Sequence, residues 1–243
     1  MPKQLEKILI EDYLIEELQK RGWIFVKNED LEREAISEPL LVSNFKKALL
    51  RLNEDLGIGE EEINKVIQEI RLLPVSQEGV KKILYYFKYG IGIKFEKDRV
   101  IKTVKIFDFE NLENNEFLVS KQVSLKGKEI VRPDILLFVN GIPLIEIECK
   151  NPTEIEVSWQ DAYFQVKDYE KIVPELYKYL QIGVAIETEA RYFPIVPWQK
   201  EVSIYEWKEE GKDSIESILE FLRTERILDI LRNFLFIREE RGE

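Results

Sequence analysis

The 243-residue sequence contains no histidine and only one cysteine, Cys149. The absence of histidine excludes the histidine-ligated zinc hydrolases, the Ser-His-Asp triad and the Cys-His pair. A single cysteine excludes an internal disulfide framework and a metal site built from several cysteines. Any acid–base chemistry in this chain must therefore use aspartate, glutamate, lysine or tyrosine.

Long apolar runs and low-complexity segments are also missing. No apolar stretch reaches the length needed to span a membrane, and residues 1–23 carry too many charges for a secretory leader. No internal repeat interrupts the chain. We therefore expect a soluble, cytoplasmic protein with no membrane partner.

The overall charge is strongly acidic, with a formal net value of −11. Such a balance argues against tight, autonomous binding of nucleic acid, so a DNA substrate would have to be delivered by other chains or domains. It agrees with a metal site, which needs acidic ligands. The abundance of lysine and glutamate with a single methionine favours a heat-adapted source, a thermophile.

Hydrophobic periodicity predicts a chain that begins helical and then alternates between strands and helices. The predicted helices cover residues 4–21, 41–53, 59–72, 77–88, 159–172 and 215–240, with a short helix after Pro174. The predicted strands cover residues 23–26, 100–109, 117–125, 135–139, 144–148, 181–186 and 192–196. Asn140-Gly141 is a strong signal for a hairpin between the fourth and fifth of these strands.

The ends of that hairpin carry a pattern typical of metal-dependent phosphodiester cleavage. Asp134 opens the first strand, and Glu148 and Lys150 end the second. Side chains at positions i and i+2 of a strand share a face, so Glu148 and Lys150 should project together, while Cys149 packs on the other side. Two carboxylates with the Cys149 backbone carbonyl could hold Mg²⁺, and Lys150 could orient water or stabilise negative charge.

A simpler interpretation stays open, because strands often end in charged residues where they reach solvent. Two further features favour a site. Gln165 and Tyr169 share one face of the helix that follows and can hydrogen-bond a phosphate. Glu11, on the first helix, is a further candidate metal ligand. Glu146 points the same way as Glu148 and could compete with it, but the spacing to Lys150 favours Glu148.

These residues resemble a known family. Asp134, Glu148-x-Lys150 and Gln165-x-x-x-Tyr169 resemble the core of the PD-(D/E)xK nucleases. The stretches RPDILLFVNGIPLIEIECKNP, DAYFQVKDY, IFDFENLENNEFLVSKQ and IEDYLIEELQKRGW resemble more closely the N-terminal endonuclease domain of the restriction (motor) subunit of type I restriction–modification enzymes. The family's usual Glu-Leu-Lys stands here as Glu148-Cys149-Lys150.

The resemblance implies an α/β (α+β) fold with a restriction-endonuclease-like core, in which helices flank a central mixed sheet and an N-terminal helical insertion is present. It implies DNA as substrate, Mg²⁺ (or Mn²⁺) held by Asp134, Glu148 and the Cys149 carbonyl, and phosphate positioning by Gln165 and Tyr169. It also implies methylation and specificity subunits as partners, together with an ATP-dependent motor elsewhere in the full-length subunit.

The sequence contains no G-x-x-x-x-G-K-[ST] phosphate loop, so we expect a nuclease fragment that does not itself bind ATP. The expected organisation is one endonuclease domain over 1–243. Within it lie a helical annex at about 38–90, a catalytic core at about 4–26 and 91–200, and a helical linker at about 213–243. Residues 131–180 hold nine acidic and five basic residues, a balance that would repel DNA without a metal.

Two other functions remain possible interpretations of the same residues. The first is a non-catalytic module that keeps the fold only to dock onto the motor or the methylase. The second is a different PD-(D/E)xK nuclease, such as a repair or recombination enzyme.

Overall fold

A computed structural model describes residues 3–97, 99–151 and 157–237, with side chains from Ile10 onward. Eight α-helices lie within these ranges: α1 (Lys3–Gln19), α2 (Val42–Leu52), α3 (Glu60–Arg71), α4 (Gln77–Tyr89), α5 (Trp159–Ile172), α6 (Pro174–Tyr177), α7 (Ser214–Phe221) and α8 (Thr224–Asp229). A π-helical turn, Ile230–Phe234, continues α8. The predicted helices at residues 4–21, 41–53, 59–72, 77–88 and 159–172 are confirmed to within a few residues.

In the described part of the chain, ten strands form one large and two small sheets. The strands are β1 (Ile24–Phe25), β2 (Ile91–Phe95), β3 (Val100–Val104), β4 (Phe117–Lys121), β5 (Leu125–Lys126), β6 (Ile130–Val131), β7 (Ile135–Val139), β8 (Ile142–Cys149), β9 (Ile182–Ile186) and β10 (Ala190–Pro194). The large sheet has the order β1-β4-β7-β8-β9-β10, while β2 pairs with β3 and β5 pairs with β6. The large sheet is mixed, because β1–β4 and β8–β9 are parallel and the other pairs are antiparallel.

Apolar side chains cover both faces of this sheet, as the near-continuous apolar runs of the central strands require. Along β7, Ile135, Leu137 and Val139 pack into one cluster with residues of α1–α4 and α7. The alternate residues Leu136 and Phe138 pack into a second cluster with α5 and α6. The sheet is thus flanked by helices on both sides, which confirms the expected fold class.

A bulge in β8 decides which face its glutamates occupy. The pairing register shifts after Leu137, so that β8 contains one residue more than its partner at Leu144. Leu144 and Ile145, although consecutive, therefore both lie in the first apolar cluster. From Ile145 onward the alternation is regular, and Glu146 and Glu148 point to the opposite face, towards α5.

The C-terminal helix differs from its prediction. A continuous helix over 215–240 was expected, but the chain leaves helical geometry at Arg223 (ψ 142°) and resumes as α8. The reason is tertiary, since the Trp23 indole N–H donates to the Leu222 carbonyl at 2.7 Å and the Thr224 N–H donates to the Arg21 carbonyl. The predicted residues 238–240 lie outside the described ranges.

Several strand predictions also need correction. The strand predicted over 100–109 ends at Val104, and β2, β5 and β6 were not predicted. β2 follows the glycine at which α4 ends, and its pairing with β3 supplies backbone partners that local sequence patterns do not reveal. β5 and β6 have two residues each, too few for a period-2 pattern.

The turn between β7 and β8 fits closely against α2, which gives a test of the fold. Gly141 has a left-handed φ of +80°, and an added Cβ would lie 2.5 Å from the Leu41 carbonyl oxygen and 2.8 Å from the Phe45 nitrogen. We expect Gly141→Ala to lower the free energy of unfolding by about 3 kcal/mol, through backbone strain and the steric clash together. Denaturant unfolding measures this loss.

Gly57 provides the matched control, because its φ is +63° but no heavy atom lies within 4 Å of the place that an added Cβ would occupy. Gly57→Ala should cost only the conformational term, about 1 kcal/mol. Equal losses in the two variants would contradict the close packing of the hairpin turn on α2.

Candidate active site at the end of the central hairpin

Asp134 and Glu148 face each other at the open end of the β7–β8 hairpin. The last described pair of the ladder is Ile135–Ile147, and one further step along both strands brings the two acidic residues opposite each other. The Asp134 backbone N–H donates to Glu148 Oε1 at 3.0 Å, and the Cys149 N–H donates to Asp134 Oδ2 at 2.9 Å. Both carboxylates are buried. The hairpin itself therefore fixes their separation and direction.

Gln122, which follows β4, connects this pair to the first helix. Its side-chain amide donates to Asp134 Oδ1 at 3.0 Å and to Glu11 Oε1 at 3.1 Å. Gln122 has a left-handed φ of 54°, and its backbone N–H donates to the Asp134 carbonyl. Glu11 is buried and thus joins the cluster through the amide of Gln122.

Lys150 and the predicted polar pair of α5 form the other side of the cluster. The Lys150 ammonium donates to Gln165 Oε1, and Gln165 Nε2 donates to the Tyr169 hydroxyl at 2.8 Å. The Lys150 backbone N–H donates to the Ile186 carbonyl of β9 at 2.8 Å, which holds the residue at the end of the sheet. Gln165 and Tyr169 therefore line the site on the same face as Glu148.

The pKa values of Glu148 and Tyr169 are raised because both groups lie in a region with little water, where several acidic side chains are close together. Burial, followed by repulsion from Asp134 and Glu146, raises the pKa of Glu148 well above its ordinary value. Burial and the charge of Glu148 raise the pKa of the Tyr169 hydroxyl to about 12. Tyr169 therefore keeps its proton at neutral pH and remains a hydrogen-bond donor.

Glu146 adds a third buried carboxylate on the same face. Burial raises its pKa to about 8, with further contributions from Glu170 and Asp134, whereas the nearby Tyr177 hydroxyl lowers it. Among the described residues, no hydrogen bond of standard geometry reaches either carboxylate oxygen of Glu146 or the Tyr177 oxygen. The two groups lie close together without a well-directed bond, and Glu146 is an uncompensated buried acid.

The arrangement can accept a hard cation. Glu148 Oε2 is buried and receives no hydrogen bond from the described residues, while its other oxygen is held by the hairpin. Within the same ranges, no group of three or more acidic, cysteine or histidine side chains has the geometry of a metal cage. The predicted ligands are two carboxylates and a backbone carbonyl, and such a set leaves positions open for water and substrate.

The structure brings the predicted site residues together at one edge of the sheet. Asp134 and Glu148 are joined through the hairpin backbone, whereas Lys150, Gln165 and Tyr169 form a second chain of hydrogen bonds. The two groups meet where the charge of Glu148 acts on the Tyr169 hydroxyl. The buried Cys149 side chain faces the first apolar cluster. Glu11 reaches Asp134 indirectly, through Gln122.

Gln122 and Tyr177 were not predicted from the sequence. Gln122 could have been found as the polar residue that follows Phe117–Lys121, a strand of the same length as β7. Tyr177 has no comparable signal, since its position depends on how α6 packs beneath the sheet.

A mixed six-stranded sheet flanked by helices, with an acidic cluster at the end of its central hairpin, is consistent with a nuclease fold of the PD-(D/E)xK type. A family model described as type I restriction enzyme R protein N terminus matches residues 3–202. The chain therefore belongs to this family, as its sequence resemblance implied.

Similar proteins occur in archaea and bacteria. The chain is 31% identical over 246 aligned residues to a Methanocaldococcus jannaschii protein with the provisional name type I restriction enzyme MjaVIIIP endonuclease subunit. It is 26% identical to the type I restriction enzyme HindI endonuclease subunit of Haemophilus influenzae. These matches cover 98% and 96% of this chain but only 23% and 24% of the two relatives. The chain thus spans about a quarter of the relatives' length.

Within the described ranges, no helix is both long and apolar enough to cross a bilayer.

Proposed function

We propose that this chain carries the DNA-cleaving site of a type I restriction enzyme R subunit and hydrolyses backbone phosphodiester bonds with the help of Mg²⁺. The observation that carries this proposal is the convergence of Asp134, Glu148 and Lys150 with Gln165 and Tyr169 at one edge of the sheet. Family membership and the names of the relatives support a restriction nuclease.

The buried carboxylates fit a divalent cation on physical grounds. Asp134, Glu146 and Glu148 repel one another in a region with little water, and Glu148 Oε2 has no hydrogen-bond donor among the described residues. A cation such as Mg²⁺ or Mn²⁺ would compensate this charge, and Asp134, Glu148 and the Cys149 carbonyl would hold it. Once bound, it would supply a polarised water and stabilise charge on the phosphoryl oxygens.

The chain's own residues then hold and orient the substrate. The Lys150 ammonium is held by Gln165 at the end of the strand that carries Glu148, and it can donate to a phosphoryl oxygen or to the attacking water. Gln165 holds Lys150 through its amide oxygen and is held in turn by its contact with Tyr169. Gln165 and Tyr169 can both donate a hydrogen bond to a phosphate without adding charge. They can therefore position the phosphate while the carboxylates hold the cation.

The rest of the activity is proposed for the longer protein. The chain's net charge of −11 would not attract DNA by itself. In a full-length subunit, an ATP-driven motor and the methylation and specificity subunits would find the target and feed DNA to this site. ATP binding is assigned to the full-length subunit and not to this chain.

Cation binding tests the proposal directly. We expect calorimetry with Mn²⁺ to show binding to the chain, and Glu148→Ala to weaken it at least about tenfold, or about 1.4 kcal/mol. Glu116→Ala is the matched control, since Glu116 lies at the opposite end of the hairpin, where its N–H bonds Asn140. Its affinity for Mn²⁺ should equal that of the unchanged chain.

A docking module without catalysis is the competing function, supported by the lack of a three-acid cage among the described residues. It predicts Mn²⁺ binding that Glu148→Ala does not weaken, or no binding. A repair or recombination nuclease of the same superfamily would bind the cation in the same way. The match to R protein N termini over residues 3–202 favours restriction over that alternative.

A further inference from the structure

We infer that a groove beside the active site binds the phosphate backbone of the DNA strand to be cut. The basic groove, as we name it, has a volume of about 530 Å³ and is lined by Lys27, Asn28, Lys121, Gln122, Ser124 and Arg132, among others. The inference rests on the proposed nuclease function and adds to it the path by which the substrate reaches the carboxylates.

Gln122 connects the groove to the candidate active site. Gln122 lines the groove, and the same side chain hydrogen-bonds Asp134 and Glu11. A strand lying in the groove would therefore pass beside Gln122, one side chain away from Asp134.

Charge distinguishes this groove from the rest of an acidic chain. Lys27 and Arg132 are exposed, and neither forms an ion pair with a described residue. Lys121 is paired with Asp12. Glu29 is the acidic residue of the lining, so cations outnumber anions there by three to one.

The neighbouring β5–β6 hairpin extends this positive surface. Lys126 ends β5, and Lys128 lies with Glu129 in the turn before β6. Both lysines are exposed and form no ion pair with a described residue. Arg132 follows β6 directly. The basic groove therefore continues into a cationic ridge, which suits a linear polyanion better than a small anion.

The groove is held in a fixed shape by hydrogen bonds around Ser124. The Arg33 guanidinium donates to the Ser124 carbonyl at 2.7 Å and to Asn28 Oδ1 at 3.1 Å. Arg132 Nε donates to the Ser124 hydroxyl at 3.1 Å. Among the described residues this is the only hydrogen bond of the Arg132 guanidinium, so its two terminal nitrogens remain able to bind a phosphate in bidentate fashion.

This arrangement fits the sugar-phosphate backbone of DNA and no particular base sequence. Lysine ammonium groups and an arginine fork recognise phosphate oxygens, and such contacts position a nucleic acid without reading it. A local cationic surface also offsets the repulsion that a chain with net charge −11 exerts on DNA. The groove thus guides the strand to carboxylates that would otherwise repel it.

DNA binding by the 243-residue chain tests the inference. A short fluorescent DNA duplex is titrated in EDTA at low ionic strength, and anisotropy reports affinity. We expect Lys27→Glu combined with Arg132→Glu to weaken binding at least tenfold and to reduce the salt slope of the affinity by about 2, since each lost phosphate contact removes about 0.9. The control pair is Lys105→Glu with Lys200→Glu, which changes two exposed lysines outside the groove by the same charge.

Any of three results would overturn the inference. The groove variant could bind DNA as well as the unchanged chain, it could lose no more affinity than the control pair, or the unchanged chain could show no measurable binding. Circular dichroism and thermal melting establish that each variant folds. Cleavage by Asp134→Ala in the assembled complex separates the two proposals, because the groove assay does not use this variant. If that variant in the assembled complex still cleaves DNA, the nuclease assignment fails while the groove result stands.

A tethering experiment locates the DNA independently. Cys149 is the chain's sole cysteine and is buried, so an introduced surface cysteine supplies the reactive thiol. We expect Arg132→Cys to form a mixed disulfide with a duplex carrying an activated disulfide on its backbone much faster than Lys105→Cys does. Equal rates for the two variants would contradict binding in the groove.

Discussion

Replacement of Lys150 by alanine is expected to lower the rate of DNA cleavage by the assembled restriction complex about 10²- to 10³-fold. Gln165 holds the ammonium two residues beyond Glu148, and removal of one group that stabilises developing negative charge costs this much in other hydrolases. Asp134→Ala should have an effect at least as large, because it removes a proposed metal ligand and the acceptor that binds the Cys149 N–H. Conversion of a supercoiled plasmid to linear DNA measures the rate.

The control variant is Lys171→Ala, which removes an exposed lysine of α5 whose partner is Asp168. It should cleave normally. ATP hydrolysis and DNA translocation by the full-length subunit should survive all three substitutions, since we assign ATP binding to the motor and not to this site. Cleavage at the normal rate by Lys150→Ala or Asp134→Ala would refute the assignment of the active site.

The metal-free chain is expected to lose stability as the pH rises, and Glu146 is expected to cause much of this loss. In the unfolded chain the pKa of Glu146 is about 4.5, whereas burial raises this pKa to about 8 in the folded chain. Between these values the folded chain binds more protons than the unfolded chain, so the free energy of unfolding falls with rising pH and levels off above about pH 8. Glu148, whose pKa is also raised, adds to the same trend.

Glu146→Gln should therefore stabilise the metal-free chain at the alkaline end of this window by on the order of 2 kcal/mol and leave it nearly unchanged at the acidic end. Urea unfolding in EDTA at several pH values measures the difference. Glu113→Gln, at an exposed position, is the control and should follow the unchanged chain. A pH-independent effect of Glu146→Gln would show that the buried carboxylate does not carry a raised pKa.

The sequence predicted most of the fold because the long helices and the central strands have regular apolar periods. Asn140-Gly141 located the hairpin, and the rule that positions i and i+2 share a strand face placed Glu148 and Lys150 correctly beside α5. The rule holds here because the β8 bulge, at Leu144, lies before Glu146 and leaves the last residues of the strand in regular alternation.

The remaining features depend on contacts between elements distant in sequence. Gln122 joins the cluster because β4 pairs with β7, and Tyr177 approaches Glu146 because α6 packs beneath β8. The break between α7 and α8 arises from hydrogen bonds to Trp23 and Arg21, about two hundred residues earlier in the chain. Local sequence patterns do not predict these contacts, because each contact depends on how distant elements pack together.

The attachment of α7 to the first helix has a mechanical consequence. Arg21 forms ion pairs with Glu17 of α1 and with Glu220 of α7, and the buried Trp23 indole holds the Leu222 carbonyl. A force that displaced α7 would have to break these bonds or drag α1 along. Glu11 lies on α1 and accepts a hydrogen bond from the Gln122 amide, which also donates to Asp134. A force applied at the C-terminal end of the chain would therefore displace Glu11 and disturb the hydrogen bonds of Gln122.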